Sequence, residues 1–293
     1  MDSQLISSIR RFTLQARKLL EKEISDQLEG IYGLLPDGTL MQKEDYPALI
    51  AIEDAKDTRL RIEQFLEDEK RAGIDTKKAR EKIIKEASFT WLNRLIALKM
   101  LEERKLIRQT ISRGIRSNGF LMWLTEPENR EFYQKYQKGD LPQNPLDEGP
   151  RQEAYRHFIL SQCRKLSQEI KVLFDPDNLP SKFFPRPPAF NTLIDMMNSP
   201  ELQDAWAPGN EETIGWVYQS FNSEELEKAF REVRISGKKF EAEDIPSVTQ
   251  LFTPRWIVRF LVENTLGKLW IEMHPDSNLK NDLKYLVLSL IHI

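Results

Sequence analysis

The chain has 293 residues, with a hydrophobic fraction of 40%, a charged fraction of 30% and a formal net charge of -3. This is the composition of a globular protein with a real core, long enough for one large domain or two small ones. A lone cysteine, Cys163, excludes an intramolecular disulfide and a cysteine-based zinc site. No apolar run approaches the ~20 residues of a membrane span, and Met1-Asp2-Ser3 does not open a signal peptide. The near-neutral charge does not announce a nucleic-acid binder, though binding faces are local.

Residues 3–30 read as one helix. Ile6, Ile9, Phe12, Ala16, Leu19, Leu20, Ile24 and Leu28 mark its apolar face. Arg10, Arg11, Arg17 and Lys18 are expected mostly off that face, as solvated charges. Residues 30–50 form a connection with turn signals at Gly30, Gly33 and Pro36-Asp37-Gly38. Pro36-Asp37 also opens a permissive nuclease pattern, but no clean Glu-x-Lys follows on a strand. Residues 53–86 are expected to be solvated helix, with opposite charges a turn apart (Glu67 and Arg71) and a break near Gly73.

Residues 87–107 turn apolar again. Trp91, Leu95, Leu98, Leu101 and Leu106 form a core-facing stripe, and Asn93 and Arg94 need partners if buried. Residues 104–116 are basic, and Arg113-Gly114-Ile115-Arg116 reads as a loop where Arg113 and Arg116 can meet phosphate. Residues 117–150 carry Trp123, Phe132 and Tyr136 and end in a proline- and glycine-rich linker. The next helix, 151–174, turns Tyr155, Phe158, Ile159, Cys163, Leu166 and Ile170 inward. His157 and Cys163 form no metal or nucleophilic pair, and the buried thiol is a small hydrophobe. Residues 175–190 read as an irregular proline-rich connection, including Arg186-Pro187-Pro188-Ala189-Phe190. Helical segments follow over 191–222, with Trp216, Tyr218 and Phe221 expected in a core; residues 223–246 are a charged helix and then Ser236-Gly237-Lys238-Lys239, leading on through Ile245-Pro246.

The stretch Thr249-Gln250-Leu251-Phe252-Thr253-Pro254-Arg255-Trp256 reads as a loop turning into an amphipathic helix. Thr253 is expected to cap that helix and Pro254 to occupy its first position. Trp256 stands where a capping-box carboxylate would be. Ile257, Val258, Leu261, Val262, Leu266, Leu269 and Trp270 recur as one stripe expected to be buried.

Gln-Leu-Phe-Thr-Pro before a helix resembles the motif preceding the cofactor-binding strand in adenine-specific DNA methyltransferases. The longer string through Glu263-Asn264 and Leu269-Trp270 is similar to the PglX family of BREX phage-defence methyltransferases. Two further segments resemble the same family: Phe89-Thr90-Trp91-Leu92-Asn93-Arg94-Leu95, and Ile214-Gly215-Trp216-Val217-Tyr218-Gln219. The resemblance implies an N-terminal fragment of an enzyme that methylates N6 of adenine in double-stranded DNA, using S-adenosylmethionine and no metal. It places Phe252, Thr253 and Pro254 beside the cofactor, with Gln250 and Ile257 in support. It implies a bacterial or archaeal cytoplasmic setting, other phage-defence proteins as partners, and no membrane.

The expected fold is mainly α, leading into the start of a Rossmann-like methyltransferase domain that is cut short. The expected division is a helical N-terminal region over 1–145, a helical connecting region over 146–245 and the start of the methyltransferase domain over 246–287. Leu288-Ser289-Leu290-Ile291-His292-Ile293 is similar to the translated transposase end sequence used in preparing DNA libraries, so His292 receives no role. The chain holds no Gly-x-Gly. Arg186 stands where the Asn/Asp-Pro-Pro-Tyr/Phe motif of adenine methyltransferases begins with a polar acceptor, and Ala189 where its aromatic follows. No catalytic residue is therefore assigned, and the fragment is expected to be inactive, to expose apolar surface along 254–270 and to be poorly soluble or oligomeric. Two other readings stay open: a non-catalytic helical DNA-binding or scaffold protein, and a type II enzyme joining a nuclease to a methyltransferase.

Overall fold

The structure is a computed structural model describing residues 2–52, 54–130, 133–134, 137, 150–237, 239–240, 245–249 and 251–287. Phe132, Tyr136, the linker 141–149, Gln250 and the C-terminal stretch 288–293 lie outside the described residues. The chain is mainly helical; among the described residues no strand forms, and the one isolated bridge joins Leu34 to Leu40. It divides into two compact units, Met1–Asn210 and Glu211–Ile293.

The first unit is built on two long helices, α1 (Ser3–Gly30) and α3 (Thr76–Glu103), which pack on one another. Ile9, Phe12, Ala16, Leu20, Ile24 and Leu28 of α1 are buried, following the helical period. The turn-rich connection reverses at Gly33 and Gly38, both in the left-handed region. At Gly38 a Cβ would lie 2.6 Å from the Thr76 hydroxyl, so only glycine lets the turn approach α3. Helix α2 (Ala55–Arg71) then forms the first arm of a hairpin that breaks at Gly73. Asp75 caps α3 by accepting the Lys78 N–H at 2.9 Å. Glu67 and Arg71 pair at 3.0 Å.

The charges of the first unit are less solvated than their pattern suggests. Arg17 is buried on the packed face of α1, where its Nε meets Glu21 at 2.7 Å. Arg59 and Arg80 are buried too, and each holds the 31–41 connection by its carbonyls. Arg59 donates to the carbonyls of Tyr32 and Met41, and Arg80 to that of Leu34 and to the Ser25 hydroxyl. A guanidinium has five donors in a rigid fork, so it can satisfy several carbonyls that the turn would otherwise leave unpaired. Arg94 does the same farther along α3, donating to the Leu173 and Asp175 carbonyls and to the Ser181 hydroxyl.

Two aromatic groupings complete this core. Phe12 of α1 meets Trp206 edge-on at 5.9 Å. Phe120, on α4 (Asn118–Thr125), packs against Tyr155 and Phe158 of α5 (Pro150–Ser167) at 5.4 and 5.6 Å. Helix α5 stops at Ser167, so Ile170 stands outside it and is exposed, contrary to its expected inward position. Leu106 is likewise exposed, because α3 ends at Glu103. The proline-rich connection is shorter than expected: Pro187 and Pro188 open α6 (Pro187–Met197), where a missing N–H costs nothing.

The second unit contains α7 (Thr213–Phe221), α8 (Ser223–Ser236) and α9 (Arg255–Val262). Gly237 ends α8 in the left-handed conformation. Helix α9 runs on through a π-helical turn, Glu263–Gly267, into Lys268–Met273.

Candidate functional site

The Leu251–Pro254 loop is fastened to the start of α7. The Phe252 ring lies over Gly215, where a Cβ would come within 2.1 Å of the ring. Any other residue at 215 would evict the ring. Trp216 meets Phe252 edge-on with centroids 5.3 Å apart, the favoured geometry for two quadrupolar rings. The Ile-Gly-Trp and Phe-Thr-Pro segments therefore form one physical unit. The Trp216 Nε1–H is buried and has no acceptor among the described residues.

The cap of α9 differs from expectation. Pro254 is the capping residue, with an extended ψ of 147°, and Arg255 is the first helical residue. Thr253 is one position too far upstream to cap and makes no capping hydrogen bond; its side chain is exposed. The Arg255 N–H instead donates to a Glu212 carboxylate oxygen at 2.6 Å. The acidic group missing from the local capping box is supplied from the residue preceding α7. A negative charge there also faces the positive end of the α9 dipole.

The stripe on α9 and its continuation is not buried. Val258, Leu261, Val262, Leu266, Leu269 and Trp270 are each 45–67% exposed, and Ile257 is half-buried. What the helix does bury is polar. Glu263 is 4% exposed; it pairs with Arg259 at 3.1 Å and accepts the Tyr285 N–H. Asn264 donates to the Tyr285 carbonyl at 2.7 Å and accepts the Val287 N–H at 2.7 Å. Its amide thus offers residues 285–287 the donor and acceptor that a neighbouring backbone would offer. These contacts arise at the π turn, where the widened backbone re-aims side chains. Sequence reasoning passed over Glu212, Gly215, Glu263 and Asn264 as site residues. The close recurrence of Gly215 and Glu263-Asn264 within the quoted motifs was the signal available for three of them.

The two arginines expected at a DNA face lie in the other unit. Arg113 and Arg116 are exposed on the turn Gly114–Arg116, just ahead of α4. Two other basic residues nearby are engaged: Arg104 donates to the Trp206 carbonyl at 3.0 Å, and Arg108 pairs with Glu126 at 3.4 Å. The preceding loop is pinned by buried Glu102, whose carboxylate accepts the N–H groups of Thr110 and Ile111 at 2.7 and 2.6 Å. Arg186 is held by Glu23 at 2.6 and 2.9 Å, which closes it to a role as the polar head of a base-binding motif. The Asp37 carboxylate accepts the Thr39 N–H within the turn, a bond that lowers its pKa, and among the described residues it gathers with no group of three metal-ligating side chains.

A chain of this class, helical with a Phe-Thr-Pro loop seated on a glycine notch, can be set beside known proteins. No family model matches it. It is 29% identical over 224 residues to the adenine-specific methyltransferase BrxX of Escherichia coli O9:H4 (strain HS), an alignment covering 72% of this chain and 18% of that protein. It is also 29% identical over 306 residues to the adenine-specific methyltransferase PglX of Lacticaseibacillus casei (strain Zhang), covering 92% of this chain and 24% of that protein. The chain spans about a fifth to a quarter of the length of these curated relatives.

Proposed function

We propose that the chain serves as the helical N-terminal part of an S-adenosylmethionine-dependent DNA adenine-N6 methyltransferase acting in phage defence. A Rossmann-like domain would begin within 246–287, after helical regions over 1–145 and 146–245. The observation that carries this reading is the Phe252 loop clamped on Gly215 and Trp216, because it ties together two motifs that both resemble the PglX family.

The residues present fit one wall of a cofactor site. Phe252 supplies an apolar ring fixed from behind, Thr253 an exposed hydroxyl, and Pro254 a stiff approach to the helix. The orphaned Trp216 Nε1–H is a donor still in need of an acceptor. Ile257 supports the loop from α9, and Gln250 is assigned beside it by resemblance. S-adenosylmethionine, when bound, supplies the methyl group. The chain's own residues orient it and exclude water. Arg113 and Arg116 would meet duplex phosphates, positioning DNA without reading sequence. The target adenine would be flipped from the stack. No residue of this chain is assigned to the chemistry, so residues 1–287 alone should transfer no methyl group.

The test uses the intact methyltransferase containing this chain, plasmid DNA and tritiated S-adenosylmethionine. Phe252→Ala should weaken cofactor binding on the order of tenfold, the equivalent of ~1.4 kcal/mol, while DNA binding persists. Arg113→Gln with Arg116→Gln should weaken DNA binding and flatten its salt dependence, leaving cofactor affinity unchanged. Unchanged cofactor affinity in Phe252→Ala would remove the loop from the site. Methyl transfer by residues 1–287 would refute the assignment of chemistry elsewhere.

A further inference from the structure

A cavity of about 180 Å³ lies in the first unit, between α1, α3, α5 and the 174–186 segment. Its lining is strongly cationic: Arg94, Arg156, Arg164, Lys182 and Arg186 face it, against the single carboxylate of Asp54. Arg156 and Arg186 have partners of their own in Glu153 and Glu23, at 3.0 and 2.6 Å. Arg164 and Lys182 make no ion pair among the described residues.

Arg94 is the unusual member. Its side chain is 1% exposed, yet no carboxylate pairs with it among the described residues. Its Nε donates to the Leu173 carbonyl at 2.8 Å, and its Nη2 to the Asp175 carbonyl and the Ser181 hydroxyl at 2.8 and 2.6 Å. Nη1 has no hydrogen bond among the described residues, although the residue borders the cavity. Burying an unpaired cation is costly, and carbonyl dipoles and the Trp91 face, 5.2 Å away, offset only part of that cost. A guanidinium cannot shed its proton to escape. The Asp175 charge acts on the guanidinium from one side, and an anion in the cavity would complete the compensation from the other.

We propose that this cavity binds a small phosphate monoester, with its oxyanion against Arg94 and the rim cations Arg164 and Lys182. Arginine forks suit phosphate oxygens, and a lysine adds a point charge. The cavity exceeds what single waters need, and its walls include the rings of Phe174 and Phe184, an apolar surface for the organic arm of the ester. The site is separate from the Phe252 loop and does not depend on the cofactor reading.

Calorimetry and thermal melts on the full chain test it, with inorganic phosphate, adenosine 5′-monophosphate and adenosine as probes at matched ionic strength. Phosphate and the nucleotide should bind saturably and raise the melting temperature, while adenosine should not. Arg164→Gln with Lys182→Gln, both at the rim, should weaken nucleotide binding at least about tenfold without unfolding the protein. Arg94→Gln should abolish it; should that variant fail to fold, the rim pair decides alone. A tetranucleotide with and without a 5′-phosphate separates sources: tighter binding than the mononucleotide assigns a nucleic-acid end, weaker binding a free metabolite. Absence of saturable binding by phosphate and nucleotide, or unchanged affinity in the rim variant, would overturn the proposal.

Discussion

Gly215 leaves a gap that a single methyl group would close. With a Cβ only 2.1 Å from the Phe252 ring, Gly215→Ala must push the ring away or shift α7. Overpacking of this kind costs about 1–3 kcal/mol, so the variant should melt at a lower temperature. Adding Phe252→Leu should restore part of the loss, since the two residues share one contact; a neutral Gly215→Ala would mean the ring is not seated there. Tyr32 makes a different demand. Its phenol is buried, and burial pushes its pKa up to about 12, against a hydrogen bond from Thr58 and the nearby Arg156 charge. The fold holds the neutral form, so its contribution is intact below about pH 10 and drains away as pH rises toward 12. Denaturant midpoints measured from pH 9 to 12 should fall steeply, and Tyr32→Phe should flatten that fall. Tyr155, whose pKa burial also raises, will keep some slope in the variant.

At the scale of elements, α9 depends on an acid outside itself. Replacing Glu212 by Ala removes the acceptor of the Arg255 N–H, a capping loss worth about 1 kcal/mol. Glu212→Gln keeps an acceptor and should lose less. Amide hydrogen exchange at Arg255 to Ile257 reads the difference directly; equal protection in both variants would show that the cap is dispensable. Elements were the most legible part of the sequence. Helix α1 occupies the predicted span, and the Gly73 break and the stripe of Trp91, Leu95 and Leu98 stand where periodicity placed them. What periodicity could not show is where a charge goes. Arg59 and Arg80 look like solvated residues because the alphabet of a pattern is apolar or polar, whereas burial here is decided by carbonyls tens of residues away. The same limit hid the cap: Thr253-Pro254 has the right chemistry one residue too early, and the true acceptor lies 43 residues upstream. Of the candidate site, the Phe-Thr-Pro loop was legible, but its seat was not, because a glycine notch is invisible without knowing which ring fills it.

At the scale of the whole molecule, the second unit presents a continuous apolar face that its own residues do not cover. Val258, Leu261, Leu266 and Trp270 are each about half exposed or more, and such patches drive association. Sedimentation should show concentration-dependent oligomers, and Val258→Glu with Leu266→Glu should shift the population toward monomer. A monomeric wild type across the same range would argue that the face is not sticky in solution. The first unit is fastened differently. Arg94 reaches carbonyls 79 and 81 residues ahead of it and a hydroxyl 87 residues ahead. Closing loops of that length is slow, and the entropy must be spent before the contacts reward it. During synthesis, α3 therefore leaves the ribosome carrying a charge that belongs inside the protein and has nowhere to go until Leu173 to Ser181 arrive. For that interval, several seconds at ordinary elongation rates, the helix cannot bury its apolar stripe without also burying an unanswered guanidinium. Satisfaction of the polar group buried on α3 is thus contingent on residues 173–181, and the two halves of the core are completed together.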